Sequence, residues 1–384
     1  MSPALPSRAD AVVIGGGVIG LSTAYHLARR GIGVVLVEMG ALGSGSTCKA
    51  AGGVRAQFSD AANIVMGQHG LAVFERFGEL FDQRIDLVQH GYLFLLDDAA
   101  DVADFERSVT LQNSLGVDSR MVTAAEAKRL APVISGDGIL AAAYAPRDGH
   151  CSPESVVLGY ARAARRAGAT LVPHCRATGG EVVDGAIRAV RTEAGDIATD
   201  TVVCAAGAWS RTIGEWFGVD LPVDPVRRQI LVTEPIPDLP AGMPMTIDFS
   251  TSLYFHEEGP GLLIGMSDPD ETVGFRLGRD DAWLPRLAAT IERRVPALAE
   301  VGIASGWAGL YEVTPDHNGL IGEAPGVSRF LYATGFSGHG FLLGPAVGEV
   351  MTSLVAGEAP FVDVSQFDAR RFEAAGPHPE THIV

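Results

Sequence analysis

The sequence predicts an α/β protein in which a nucleotide-type parallel sheet is assembled from separate pieces of chain. Two observations predict this. Strand–helix alternation opens the chain, returns from "SPESVVLGYARAARRAGATLV" and closes the chain around "RFLYATGFSGHGFLLGPAVGEVMTSLVAG"; strand-rich, antiparallel-looking material lies between these pieces. The length, 384 residues, suits about two domains. Alternating segments fit two interwoven domains better than two beads on a linker, and no 20- to 50-residue repeat is present.

Each element has a local reason. "AVVIG" is an apolar run bounded by glycine and reads as a buried strand. "VIGLSTAYHLARR" has helical apolar spacing and is closed by Gly31. "GVVLVE" is a second buried strand, so the three form a βαβ unit. "ANIVMGQHGLAVFERFGELF" reads as one helix and "GYLFLL" as a strand. "TAAEAKRLAP" reads as a short helix opened by Thr123, with Glu126 completing a capping box. "AIRAVRTEAGDIATDTVVCAAGAWS" reads as a hairpin and a buried strand ending in a glycine turn. "RRQILVTEP" and "SLYFHEEGPGLLIGM" are strands, and "AWLPRLAATIERRVPAL" is an amphipathic helix.

The formal net charge of -17 argues against nucleic acid and against anionic membrane surfaces, because both demand a cationic face. Four cysteines without a C-x-x-C pair support neither a zinc site nor a redox dithiol. The histidines lack ligand spacing, so no metal is expected. The leader "MSPALPSRAD" has no apolar core and no run of 18 apolar residues occurs, so a cytoplasmic protein without membrane insertion is expected.

The chemistry lies in the glycines. Gly15-x-Gly17-x-x-Gly20, enclosing Val18 and Ile19, joins strand to helix, and Glu38 ends the next strand. Gly15 permits the tight turn and Gly17 lets the backbone approach a pyrophosphate. Gly20 lets helix and strand pack closely, the helix N-terminus faces the phosphates, and Glu38 can accept from a ribose hydroxyl. The motif points to a dinucleotide without separating NAD from FAD. A second glycine-rich turn, Gly335 to Gly340, leads into a helix near the C-terminus, where a helix N-terminus can stabilise negative charge on a reduced flavin.

The stretches "VVIGGGVIGLSTAYHLARRG", "GSGSTCKAAGGVRAQFS", "HGYLFLL", "VVCAAGAWS", "WAGLYEVTPDHNGLIGEAPG" and "YATGFSGHGFLLGPAVGEV" together resemble the D-amino-acid-oxidase-like superfamily of FAD enzymes. Within it they are similar to sarcosine oxidase β subunits and to the β subunit of dye-linked L-proline dehydrogenases. The resemblance implies an interrupted Rossmann-like FAD-binding domain (1–85, 143–215 and 311–384) interwoven with a mixed, largely antiparallel β-sheet substrate domain (86–142 and 216–310). It implies oxidation of an amino-acid C–N bond by hydride transfer to flavin N5, then imine hydrolysis. A secondary or N-methyl amino acid, sarcosine- or proline-like, is the expected substrate. A primary-amine enzyme acting on glycine or a D-amino acid stays open, as does a flavin-bearing subunit passing electrons to partner chains in a homo- or hetero-oligomer. The electron acceptor is O2 or a dye or partner subunit.

By motif, the resemblance places Gly15, Gly17, Gly20 and Glu38 on the ADP moiety and Ser46, Thr47, Lys49, Gly52 and Gly53 beside the flavin. Ala177 would meet adenine, Ala205, Gly207 and Trp209 would form a second nucleotide contact, and Gly338, His339, Gly340 and Phe341 would lie at the pyrimidine end. Arg55 falls where related enzymes hold the substrate carboxylate, a task suited to a guanidinium fork. Tyr254, His256, Tyr311 and His339 complete the expected substrate site. Tyr254 and His256 share a strand face by period two, so they are expected to enter the pocket together. Tyr311 reads equally as a core tyrosine, and His339 as a residue held for its backbone. Gly309 and Lys49 stand where relatives attach flavin to cysteine or histidine, which implies non-covalent FAD. Leu263 and Leu342 replace an oxygen-activating and a carboxylate-binding lysine, so oxidase and dehydrogenase both remain open.

Overall fold

A computed structural model describes residues 5–373 and 376–383; the first four residues of the leader lie outside them. Its first sheet has the strand order Leu320–Glu323, Phe330–Thr334, Val202–Cys204, Ala11–Ile14, Val34–Val37, Thr170–Val172. All neighbours are parallel except the edge strand Leu320–Glu323, which is antiparallel. The four central strands, so far apart in sequence, meet because each is a largely apolar run buried on both faces, with helices above and a small three-stranded antiparallel sheet (177–198) below.

The second sheet has eight strands in the order Ile303–Val313, Asp224–Thr233, Gly261–Gly265, Leu253–Glu258, Met245–Asp248, Tyr92–Leu96, Ala141–Ala145, Arg120–Val122. It is antiparallel except where Met245–Asp248 runs parallel to Tyr92–Leu96. Two of its strands cross the expected domain limits at 142/143 and 310/311. Ile303–Val313 pairs along its length with Asp224–Thr233, so the expected limit cuts a continuous strand, and the "GLYEVTPD" motif runs from that strand into the turn after it.

Local signals account for most helices. Val18–Arg29 begins at Gly17 with no side-chain cap, and Gly31 follows it with φ +78°. Ser152 caps Pro153–Arg166 by accepting from the Ser155 N–H. Thr123 accepts from the Glu126 N–H as expected, but the Glu126 carboxylate pairs with Arg120 instead of completing the box. The helix expected over 62–81 is two, Ala61–Glu75 and Phe77–Phe81, which part at Arg76. Phe74, Phe77 and Phe81 gather with Tyr160 around the break, ring centroids 4.4 to 6.3 Å apart. No helix among the described residues is long and apolar enough to cross a membrane.

Candidate active site

One elongated cavity of about 470 Å³ runs between the two large sheets. It begins at the carboxyl ends of Ala11–Ile14 and Val34–Val37, where open parallel sheets bind nucleotides. A side chain at Gly15 would meet the Ala205 carbonyl oxygen at 2.2 Å, and one at Gly20 would meet the Gly15 oxygen at 2.0 Å. At Gly17 the nearest atom to an added Cβ is Thr47 Oγ1, 3.0 Å away, so backbone is bared toward the cavity. Thr47 accepts from the Val18 N–H at 3.1 Å, which brings the 43–53 loop against the helix start. Glu38 accepts from the Gly16 N–H at 2.7 Å and the Gly40 N–H at 2.8 Å. Each of its oxygens keeps a lone pair for a ribose hydroxyl. Glycine cradle, acid and uncapped helix start fit the ADP portion of a dinucleotide.

Ser46 donates to the Leu310 carbonyl at 2.7 Å, and Trp307 donates to the Lys49 carbonyl at 3.0 Å, tying the 43–53 loop to the eight-stranded sheet. Beyond it the last helix, Gly340–Ala356, begins at His339 without a side-chain cap and lays its N-terminus on the cavity. The strand–turn–helix Phe330 to Gly340 reaches this point through Gly335 and Gly338, at φ +70° and +102°. The partial positive charge of that helix end suits an electron-rich ring.

Of the residues singled out in the sequence, Gly15, Gly17, Val18, Ile19, Glu38, Ser46, Thr47, Lys49, Gly52, Gly53, Ala177, Ala205, Gly207, Trp209, Gly338, His339, Gly340 and Phe341 line this cavity, as do Arg55, Tyr254 and Tyr311. Gly20 does not; it acts through helix–strand packing. His256 does not either, which corrects the expectation that it enters with Tyr254. Tyr254 stands opposite Gly265, whose missing side chain leaves room for the ring to swing into the cavity. His256 stands opposite Leu263 and turns away. Its ring nitrogens lie 2.7 Å from the Glu257 carbonyl and 2.9 Å from the Ala51 carbonyl, and the ring stacks on His150 at 3.9 Å. Burial holds its pKa below the usual histidine value. Leu342 lines the cavity; Leu263 does not.

Arg55 is buried and its charge is already engaged. Nη1 donates to the Gln57 carbonyl and Nη2 to the His382 carbonyl at 2.6 Å, while Phe58 and Phe94 rings lie 4.3 and 5.4 Å from the guanidinium. Nothing in the sequence signalled that His382 would reach it. Burial lowers its pKa from the ordinary arginine value. His339 is also buried; burial first, then the Arg55 charge, hold it well below the usual value and so neutral. Tyr92, Tyr254 and Tyr311 face the same space, and burial raises the pKa of each hydroxyl. Among the described residues none of the three hydroxyls makes a hydrogen bond, so each is a free neutral donor. Sequence reasoning missed Tyr92, although its strand lies in a quoted motif, and missed Arg228 and Glu312.

Glu312 is buried beside Gly340, and burial pushes its carboxyl up to about 7 from an ordinary 4.5. The folded chain therefore holds this proton more tightly than the unfolded chain. The resulting stability is full below about pH 4.5 and is lost as the pH rises through about 7, up to about 3 kcal/mol. In Glu312→Gln, urea unfolding of flavin-free protein at pH 5 and pH 8 will show a smaller difference than in wild type. An unchanged difference would assign the pH dependence to another group, such as buried Asp148, also raised to about 7 by burial.

Comparison with known proteins agrees with this geometry. Residues 10–354 match a family model described as "FAD dependent oxidoreductase" (DAO). A mitochondrial sarcosine dehydrogenase of Mus musculus is 33% identical over 387 residues, covering 97% of this chain and 42% of its own length. The chain thus spans less than half of that relative. A crystal structure of L-proline dehydrogenase from P. horikoshii superposes with a TM-score of 0.91 at 33% identity, covering 97% of this chain and 100% of that one. Glycine oxidase from Geobacillus kaustophilus gives 0.84 at 26% identity, covering 95% and 99%. An α/β chain with this cradle, this cavity and a match over nine-tenths of its length belongs to the family of FAD-dependent oxidoreductases.

Proposed function

We propose that this enzyme oxidises the C–N bond of a small amino acid, with a secondary or N-methyl amino acid of the sarcosine or proline kind as its favoured substrate class. The observation that carries the reading is the far wall of the cavity. Guanidinium groups of Arg55 and Arg228, free hydroxyls of Tyr92, Tyr254 and Tyr311, and neutral His339 converge there beside apolar Ile230, Met245 and Ile247. Such a wall recognises an anionic head and dehydrates a short apolar body. The named relatives that act on sarcosine, proline and glycine support the same class.

FAD, when bound, supplies the acceptor for the two electrons leaving the C–N bond. The chain contributes position. The wall holds the carboxylate, which fixes where the amine and its carbon lie, and orientation of this kind accounts for a large part of a rate enhancement. The apolar residues exclude water from the neutral amine. Gly309 has no side chain to link a flavin, and Lys49 replaces the linking histidine, so FAD is held non-covalently.

The test is the visible spectrum of the FAD-loaded protein without oxygen, with sarcosine, L-proline, glycine and D-alanine added separately and air readmitted at the end. Bleaching by sarcosine or L-proline is expected. Rapid recolouring in air marks an oxidase and slow recolouring a dehydrogenase. A flavin bleached by none of the four overturns the small-amino-acid reading.

A further inference from the structure

We propose that Arg228, rather than Arg55, binds the substrate carboxylate; the proposal rests on the amino-acid reading above. The two guanidiniums share one cavity but differ in what they already hold. Both terminal nitrogens of Arg55 donate to backbone carbonyls, and aromatic rings flank its plane. Those contacts take one N–H from each terminal nitrogen and hold the fork toward the main chain, leaving it poorly placed to turn both nitrogens onto a carboxylate.

Arg228 is the opposite case. Its one hydrogen bond among the described residues runs from Nη1 to the Arg227 carbonyl at 3.1 Å, and Nε has no acceptor. No carboxylate of the described residues pairs with it. The strand explains why. By period two Arg227 faces the other side of the sheet, where it takes Glu271 at 2.7 Å and also Asp280. Arg228 is left facing the cavity with a half-buried charge and no anion.

Its surroundings aim it. The cross-strand partner of Arg228 is Gly309, where an added Cβ would lie 2.6 Å from Lys49 Cβ, so Lys49 and not an acid fills the space opposite. The Arg228 head reaches diagonally to Tyr311, its guanidinium carbon 5.2 Å from the ring centroid. That ring packs against Gly338, where an added Cβ would lie 2.6 Å from Tyr311 Cε2. Arg228 thus lies across the Tyr311 ring, in the cavity region where the last helix begins. An anion with a flat, two-oxygen head is the ligand this arrangement lacks.

The test uses FAD-loaded protein and reads the flavin spectrum during titration with furan-2-carboxylate and, separately, the uncharged furan-2-carboxamide. Neither can be oxidised as an amine. Wild type is expected to bind the acid about 100-fold more tightly than the amide, since an unpartnered guanidinium in a sheltered site rewards charge. Arg228→Met is expected to abolish that preference while retaining FAD, and Arg228→Lys, which keeps the charge without the fork, to retain about a tenth of it. Should Arg228→Met fail to fold, the lysine variant still decides. A preference kept within about threefold in Arg228→Met, or undiminished in Arg228→Lys, overturns the proposal. So does its loss in an Arg55→Met protein that retains Arg228, stays folded at the assay temperature and keeps its FAD. A wild type blind to both furans, and unreduced by every amino acid tried, removes the amino-acid reading itself and this proposal with it.

Discussion

Gly15→Ala is expected to purify without its yellow chromophore, visible as the loss of absorbance near 450 nm relative to 280 nm. Two independent penalties act at this one position. The backbone sits at φ +113°, which L side chains rarely adopt, and the new Cβ would lie 2.2 Å from the Ala205 carbonyl oxygen. Backbone strain of this kind costs about 1–3 kcal/mol, and the clash adds to it because the obstacle is main chain that cannot rotate aside. The turn must open, and with it the surface on which a pyrophosphate rests. FAD affinity should fall at least about 100-fold, equivalent to about 3 kcal/mol. Gly31→Ala is the fitting control: its φ is also positive, at +78°, yet no atom lies within 4 Å of an added Cβ. It should stay yellow, with a small loss of stability.

Arg55→Met should lose stability without losing selectivity for carboxylates. The substitution leaves the Gln57 and His382 carbonyls without their donor and removes the cation from between two phenylalanine rings. Each buried acceptor left unpaired costs about 1–3 kcal/mol, so a net loss of about 4 kcal/mol is expected, lowering Tm by about 5 °C for a chain of this size. The loss should be local at first. The 376–383 segment is also held by Glu380, which accepts from Ser59 and Asn63, and by His382 stacked 3.8 Å from Phe105. Hydrogen exchange should accelerate there before it does elsewhere. Unchanged protection in that segment would show that Arg55 does not anchor it.

What could be read from the sequence was whatever is encoded within a few residues of itself. The βαβ unit, its three glycines, Glu38 and the Gly335–Gly340 turn are local patterns, and their residues stand together at the cavity or, for Gly20, beneath it. The role of Arg228 is not local. It depends on Tyr311 on the neighbouring strand and on acids that Arg227 removes from competition. Period two correctly put Tyr254 and His256 on one face, yet a cavity also needs vacant volume, and that came from Gly265 on a neighbouring strand. Two strands run across the expected domain limits for a similar reason: a motif can belong to the flavin site while its backbone completes the other sheet.

The strand order of the parallel sheet has a consequence during synthesis. Ala11–Ile14 is synthesised some 190 residues before its neighbour Val202–Cys204, and Phe330–Thr334 comes later still. At about 5–20 residues per second, this apolar edge waits roughly 10–40 s for its first missing partner, and roughly 15–65 s passes before the row reaches Phe330–Thr334. No amino-terminal fragment can hold the nucleotide fold complete, because its central strands are donated from three distant parts of the chain. Nascent copies carry an open, sticky sheet edge until Phe330–Thr334 has been made, so yield in the cell should depend on chaperone supply and on translation speed more than the stability of the finished fold would suggest.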